Sequence, residues 1–544
     1  MPRRILSLAP VLLSVALLAG ACGSDDGPAA PATTAAPATT AAPAATTAAP
    51  VTTEPMASTG GTLIVALDAE ASTLDVHATT QGNTQKIGWH IFEGLFTVDE
   101  NFAPTPMLVD SYTYDEATYT YTLLLREGVS FHDGSQLDSE DVIASMNRWM
   151  VLSSNGVQLA AAVVDVRSAG ELTVELELNS PFPSAITMLT FPIQGLAIYP
   201  SEVLADLGDG ELTEYIGTGP FEFVSKTPDV EVKLKRFEDY VSQDGAPSGM
   251  AGKREALVDE LIFRPVPEVS ARRDMVITGE AHITESLDTE MLSSVEGAAG
   301  VEKFIIKPFW SPLTNFNKQW GPTADVKVRQ AMYAAMNMQE AMQAAFGIPE
   351  FYRLDGSTMF PETDYHSDGG SEFYNQNDPE RARQLIAESS YDGEPIIWLT
   401  SRDRQWNFVI ATVVKQQMEE AGLNIQLEVV DTPTIRSRRA EREGWSAYDT
   451  ANLYLPDPST WVILDPSIIG WWEDAKKDEL VASLNTEVDE TTRKAIWDEL
   501  QAYIHDQVPT IQYGNFFALG VKSTDVKGYQ GTLFPFYWNV SLGG

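Results

Sequence analysis

Residues 119–150, YTYTLLLREGVSFHDGSQLDSEDVIASMNRWM, constrain the fold of this chain more than any other stretch. Tyr119, Tyr121, Leu123 and Leu125 alternate with Thr120, Thr122 and Leu124, which is the period of a strand. Glu127-Gly128 ends that pattern, and His132-Asp133-Gly134 makes a tight turn that needs its glycine. Asp138 then stands where a helix N-cap belongs, with Asp141 three residues on as its acidic partner. Val142, Ile143, Met146 and Trp149 follow at helical spacing. A strand, a turn and a capped helix in one short run commit the chain to a mixed α/β fold.

At 544 residues the chain is too long for one compact core, so two or more lobes are expected. Its 77 acidic residues outnumber 36 Lys and Arg, for a formal net charge of -41. That balance argues against nucleic acid as a partner and against adhesion to anionic lipid. Cys22 is the single cysteine, so no internal disulfide can form.

The first residues read as a secretory signal over 1–21. Arg3-Arg4 precede an apolar run over 5–18, and the small residues Ala19-Gly20-Ala21 lead into Cys22. These small residues before a lone cysteine resemble a bacterial lipobox, which implies cleavage before Cys22 and lipid attachment to its sulfur. The apolar run is short for a bilayer span, so the mature protein is expected to be anchored rather than spanning. Residues 22–59 then form an Ala/Pro/Thr tether with too little large apolar surface to order itself. Proline extends such a segment to as much as roughly 100 Å at about 3 Å per residue.

The run LREGVSFHDGSQLDSEDVIASMNRW closely resembles the most recognisable segment of the family 5 solute-binding proteins, the dipeptide/oligopeptide-type receptors of ABC importers. Further similarities accompany it: GGTLIVAL at 60–67 followed by Leu74-Asp75, WHIFEGL at 89–95, the loop Gly217-Thr218-Gly219-Pro220-Phe221 with a strand over 232–240, and ARRDMVITGEAHI over 271–283, read as a helix. Asn315-Phe316-Asn317 and the helix DVKVRQAMYAAM continue the likeness into a second lobe. A strand at 396–399, a helix at 406–421 and a strand at 423–430 make a crossover unit with parallel neighbours.

The resemblance implies a two-lobed periplasmic-binding-protein-like α/β fold, type II and of the large family 5 variant, with a hinge and an inter-lobe ligand cleft. The implied divisions are a first lobe at 60–306, a second at 307–508, and a return to the first at 509–544. The segments 509–517 and 535–540 are read as returning strands.

The resemblance also points to ligand-binding residues. In WLTSRDRQWN, residues 398–407, Arg404 and Trp406 match an Arg-x-aromatic-Asn segment in which the Arg meets a ligand carboxylate. A guanidinium suits that task because its donors match both oxygens. In ANLYLPDP, residues 451–458, peptide-binding relatives carry an acid where Tyr454 stands, and that acid pairs with the peptide ammonium. Asp457 remains beside Pro458 as a turn former and a second candidate acid. Trp445, Tyr454, Trp461, Trp471 and Trp472 offer stacking faces, and of the adjacent Trp471 and Trp472 at least one should pack inside a lobe. Losing the acid at Tyr454 predicts that an anionic or neutral solute binds better than a zwitterionic dipeptide.

The expected function is extracytoplasmic capture of a small solute, a peptide or another organic molecule, and delivery to ABC permease subunits, by a monomer anchored on the outer face of a bacterial cytoplasmic membrane. The alternatives are a surface hydrolase and a sensory binding module without a permease. No GxSxG or HExxH run appears, and the six histidines are dispersed, so no catalytic residue, metal or cofactor is expected. Phe131, His132 and Asp133 are read as turn formers, and Glu93 as a hydrogen-bonding partner between elements.

Overall fold

The computed structural model describes residues 59–543, apart from 206, 208 and 209. Cys22, the signal at 1–21 and the tether at 22–58 lie outside the described residues.

One 12-stranded sheet runs through the whole folded chain. At its centre the long strand Val301–Phe316 lies beside Asn515–Ser523. On one side follow Ala447–Asn452, Ile396–Thr400 and Ile425–Val429. On the other follow Ile283–Leu287, Thr62–Leu67, Glu260–Pro265, Glu231–Arg236 and Phe221–Thr227. Val301–Phe316 serves both sides. Its residues up to Ile306 pair with Asn515–Ser523, and Ser311 onward pairs with Ala447–Asn452. The register with Asn515–Ser523 shifts between Ile306 and Trp310.

Separate cores flank that shift. One half packs Leu63, Ile91, Phe92, Leu234 and Phe263 together with Tyr537 and Trp538 from the chain's end. The other packs Phe316, Met332, Trp398, Val414 and Ile511. Burying large side chains like these is worth roughly 1.5–3 kcal/mol each, so each half has its own source of stability. A four-stranded antiparallel sheet, in the order Val109–Asp115, Thr120–Leu125, Thr173–Leu178 and Val163–Gly170, adds a further layer to the first half.

The strand-turn-helix run folds as read. Thr120–Leu125 is a strand, and helix Ser139–Leu152 begins with a reciprocal capping box between Asp138 and Asp141. Its Arg148 reaches the buried Asp75 with Nη1 at 3.1 Å from Oδ1, tying this helix to the Leu74-Asp75 segment. His132 latches the 217–219 loop: its backbone N–H donates to Gly217 O at 2.9 Å, and its Nε2 lies 2.9 Å from Gly219 O. A Cβ on Gly217 would sit 2.1 Å from Ile91 O, so only glycine allows this approach. Buried Glu93 accepts from Thr218 Oγ1 at 3.0 Å and Tyr240 Oη at 2.7 Å and pairs with Arg254 at 3.1 Å.

Three expected elements end elsewhere. The helix read over 271–283 is Val269–Thr278, because Gly279 takes the left-handed conformation at φ 81 and strand Ile283–Leu287 follows. Of the 89–95 segment, which resembles the family's first helix, only 89–91 are helical, as the end of Gly82–Ile91, and Phe92 is already extended. Residues 535–540 form no strand: the Tyr537 N–H goes to His90 Nε2 at 2.9 Å instead of to a ladder, while Tyr537 and Trp538 fill the first core. Of the returning segment, Thr510–Gln512 pairs with Val301–Phe316 at Leu313 to Asn315, and Ile511, Tyr513 and Phe516 pack in the second core.

Candidate functional site

A cavity of about 220 Å³ opens where the two halves meet. The first half supplies Asp68, at the end of strand Thr62–Leu67, and Asn83, Gln85, Lys86 and Trp89 from helix Gly82–Ile91. Strand Ile283–Leu287 adds Glu285 and Ser286. The shared strand contributes Ile306, Phe309 and Trp310 at its register shift. The second half adds Leu453 and Tyr454, just past strand Ala447–Asn452, and the returning chain adds Phe534.

The polar wall is already networked. Lys86 Nζ lies 2.6 Å from Glu285 Oε2, while Glu285 also accepts from the phenols of Tyr529 and Tyr537. Burial, and then the Glu285 charge, push both phenols well above their ordinary range, so they stay protonated donors. Asn83 Nδ2 donates to Asp68 Oδ1 at 2.8 Å. Facing these groups are the aromatic surfaces of Phe309 and Trp310, whose rings stack with centroids 5.3 Å apart.

Of the residues singled out in the sequence, Tyr454 lines this cavity directly. It is 2% exposed, and its ring packs 4.5 Å from Phe102 and 6.0 Å from both Phe191 and Phe534. Tyr454 also borders a second cavity of about 690 Å³, walled by Tyr112, Tyr114 and Tyr121 and by the start of helix Glu490–Gln507. It therefore forms a partition between two spaces.

Arg404 is not in the wall. Its guanidinium lies 4.6 Å from the centre of the Trp310 ring, so it touches the cavity's lining at one remove. Trp406 borders a third cavity of about 340 Å³ with Phe346, Phe516 and Phe309; Phe309 is shared with the first. Asp457 borders the second cavity, but its carboxylate is taken: both oxygens pair with Arg493 at 2.7 Å, and Oδ1 caps Ser459 N at 2.9 Å. Trp445 and Trp471 lie 6.0 Å apart in a small buried cluster, with Trp445 Nε1 bonded to Glu441 O at 2.8 Å. Trp472 packs into a different cluster, so the adjacent tryptophans do face apart.

The sequence reading did not single out Asp68, Lys86, Glu285, Phe309, Trp310, Phe102 or Phe534. The one local signal was the aromatic pair Phe309-Trp310 at the start of the second lobe. The acids and the lysine look like any others in a chain so rich in charge.

Among the described residues no group of three or more His, Cys, Asp and Glu is placed to hold a metal ion, and no helix is long and apolar enough to cross a membrane.

Two α/β halves with separate cores, two strands (Val301–Phe316 and Asn515–Ser523) that serve both, and a cavity at their meeting point define a cleft-type binding protein. The description "Bacterial extracellular solute-binding proteins, family 5 Middle" matches residues 103–468, and the chain belongs to that family. It is 27% identical over 505 residues to a "Probable peptide ABC transporter periplasmic-binding protein", y4tO, of Sinorhizobium fredii, covering 88% of this chain and 93% of that protein. It is 25% identical over 387 residues to the glutathione-binding protein GsiB of Escherichia coli, covering 70% and 71% of the two chains. The crystal structure of the ABC transporter substrate-binding protein CtaP from Listeria monocytogenes superposes with a TM-score of 0.79 at 20% identity, covering 89% of this chain and 99% of that one. That last likeness carries the fold.

Proposed function

We propose that this chain captures a small organic solute in the cleft between its halves and hands it to the membrane subunits of an ABC importer. The observation that carries the reading is the cavity itself: both halves wall it, and Val301–Phe316, a strand they share, runs through it at the register shift. Such a site closes when the halves move together. We place the hinge at 307–309, beside the expected boundary of the lobes at 306/307. Relatives named for peptides and for glutathione support a peptide-like or similarly small organic ligand.

No catalytic role is assigned. His132 and Asp133, read as turn formers, are engaged with the 217–219 loop and with Ser135 N at 3.0 Å. The receptor is read as a monomer tethered by a lipid on Cys22, the one sulfhydryl able to accept an acyl chain. Cys22→Ala then moves it from the membrane fraction to the medium; retention in the membrane contradicts the anchor.

The test of function is mass spectrometry of the solute released when the purified chain is mildly denatured. A stoichiometric small molecule is expected. Turnover of ester or peptide substrates with no retained solute contradicts the reading.

A further inference from the structure

The charged groups on the first-half wall of the cavity are two acids and one cation that is already paired, and the exposed hydroxyls of Thr80 and Ser286 can donate or accept. Asp68 is exposed, has no ion pair among the described residues, and takes one hydrogen bond, from Asn83. Gln85 is 4% exposed. Its Nε2 donates to Val76 O at 3.2 Å and Thr79 O at 2.7 Å, while its Oε1 has no partner. The cation on this wall, Lys86, is committed to Glu285. Arg272, whose guanidinium pKa is lowered by burial and partly restored by the charge of Asp68, donates to the carbonyls of Val266 and Pro267 at 3.0 Å and to Ser286 O at 3.4 Å. Asp68 and Glu285 against Lys86 leave the lining with one net negative charge.

Arg404, the cation that resemblance would aim at a ligand carboxylate, stands outside the cavity against Trp310. A ligand carboxylate entering here meets two acids and a cation already paired, with only the neutral hydroxyls of Thr80 and Ser286 as side-chain donors. An ammonium brings three donors and no acceptor, which suits the Asp68 carboxylate and the unpartnered Gln85 Oε1. Phe309, Trp310 and Phe534 supply apolar faces for its body and ring faces that favour a cation. At about 220 Å³ the space lies below the ~300–1,000 Å³ of drug-sized pockets, so the guest is compact and not an extended peptide.

We propose that the cleft takes a compact organic amine, its ammonium on Asp68 beside Gln85 Oε1 and its apolar or aromatic body against Trp310 and Phe534. The assignment rests on the receptor reading above and reverses the ligand polarity expected from Arg404 and Tyr454.

The test is calorimetry on the purified full chain, freed of retained solute, with three probes of one shape: phenethylamine, 2-phenylethanol and phenylacetate. Phenethylamine is expected to bind at least about tenfold tighter than the other two. Asp68→Asn, which keeps the shape and the acceptor for Asn83, erases that preference; Asp68→Glu retains it in part; Arg404→Ala leaves it in place. Tighter binding of phenylacetate, no binding of phenethylamine, or a preference that survives Asp68→Asn overturns the assignment. A retained natural solute that is a carboxylate without an amine also overturns it, and leaves the receptor reading standing. Failure to retain any solute or to close on one counts against the receptor reading itself.

Discussion

The Tyr454 hydroxyl donates to the backbone carbonyl of Phe102 at 3.3 Å, joining residues 352 apart in sequence. Tyr454 follows strand Ala447–Asn452 of the second half, and Phe102 sits on a first-half turn at φ 61, with its ring against the tyrosine's. Burial first, then the nearby carboxylates of Asp457, Asp99 and Asp364, raise the phenol far above its ordinary range, so it donates at any working pH. The pair fastens one half to the other across the cleft.

Tyr454→Ala should therefore loosen the closed form. Removing a buried aromatic side chain costs about 3–5 kcal/mol, whereas Tyr454→Phe, which deletes one hydrogen bond, costs about 1 kcal/mol. Solution scattering should show a larger radius of gyration for Tyr454→Ala and an almost unchanged one for Tyr454→Phe. Equal radii for all three proteins would mean that the contact does not hold the halves together.

Asp457 should matter to stability rather than to ligand choice. Asp457→Asn leaves the buried Arg493 without its bidentate partner, a loss of about 3–5 kcal/mol. Urea denaturation should show the drop, with ligand affinity unchanged at temperatures where the variant is folded. A stable variant with weakened binding would instead place Asp457 at the ligand.

Asp449 gives stability a pH dependence of predictable sign. Burial raises its carboxyl to about 7, although Thr314 Oγ1 and Trp398 Nε1 each donate to it at 2.8 Å. Between the ordinary value of 3.8 and about 7 the folded state holds the proton more tightly than the unfolded state, so this group's contribution falls as pH rises and is fully lost above about 7. The buried histidines act in the opposite sense. Desolvation lowers His77 and His90 to about 3 and His505 to about 4, so they cost stability as pH falls below 6.5. They are common to both proteins and cancel in a comparison with Asp449→Asn. The variant should gain on the natural chain by up to ~4 kcal/mol between pH 4 and 8. A pH-independent difference would show that Asp449 titrates normally.

Arg404→Ala should have a small effect. An exposed guanidinium over an indole is worth about 0.5–1 kcal/mol, and its loss acts on ligand only through Trp310. Calorimetry with the retained solute should show a weakening of no more than several-fold. A loss of 2 kcal/mol or more, roughly thirtyfold, would put Arg404 in direct contact with ligand.

Local chemistry made much of the fold legible. The cap read at Asp138 forms, and Asp325, Asn337 and Asp378 cap their helices in the same way, each placing a short acceptor before an apolar helical stripe. The unit Ile396–Thr400, Gln405–Glu420 and Ile425–Val429 is a parallel crossover, as its pattern implied. Gly279 was a visible stop for helix Val269–Thr278, yet the apolar residues beyond it extended the apparent period. The site was far less legible. Tyr454 could be picked out, but its partners Phe102, Phe191 and Phe534 come from three distant segments, and no local pattern joins them. Trp445 and Trp471 carried the same aromatic signal and are core residues, since a tryptophan's spacing does not say which face of a lobe it serves.

The central claim is that the two halves close over a solute, and the most direct test is scattering on the purified full chain before and after its retained solute is stripped and then restored. The radius of gyration should rise on stripping and return on restoration, as Ser311 onward in the shared strand moves away from the first half about the shift at 307–309. An identical radius in all three states, with binding of the solute demonstrated, would contradict it.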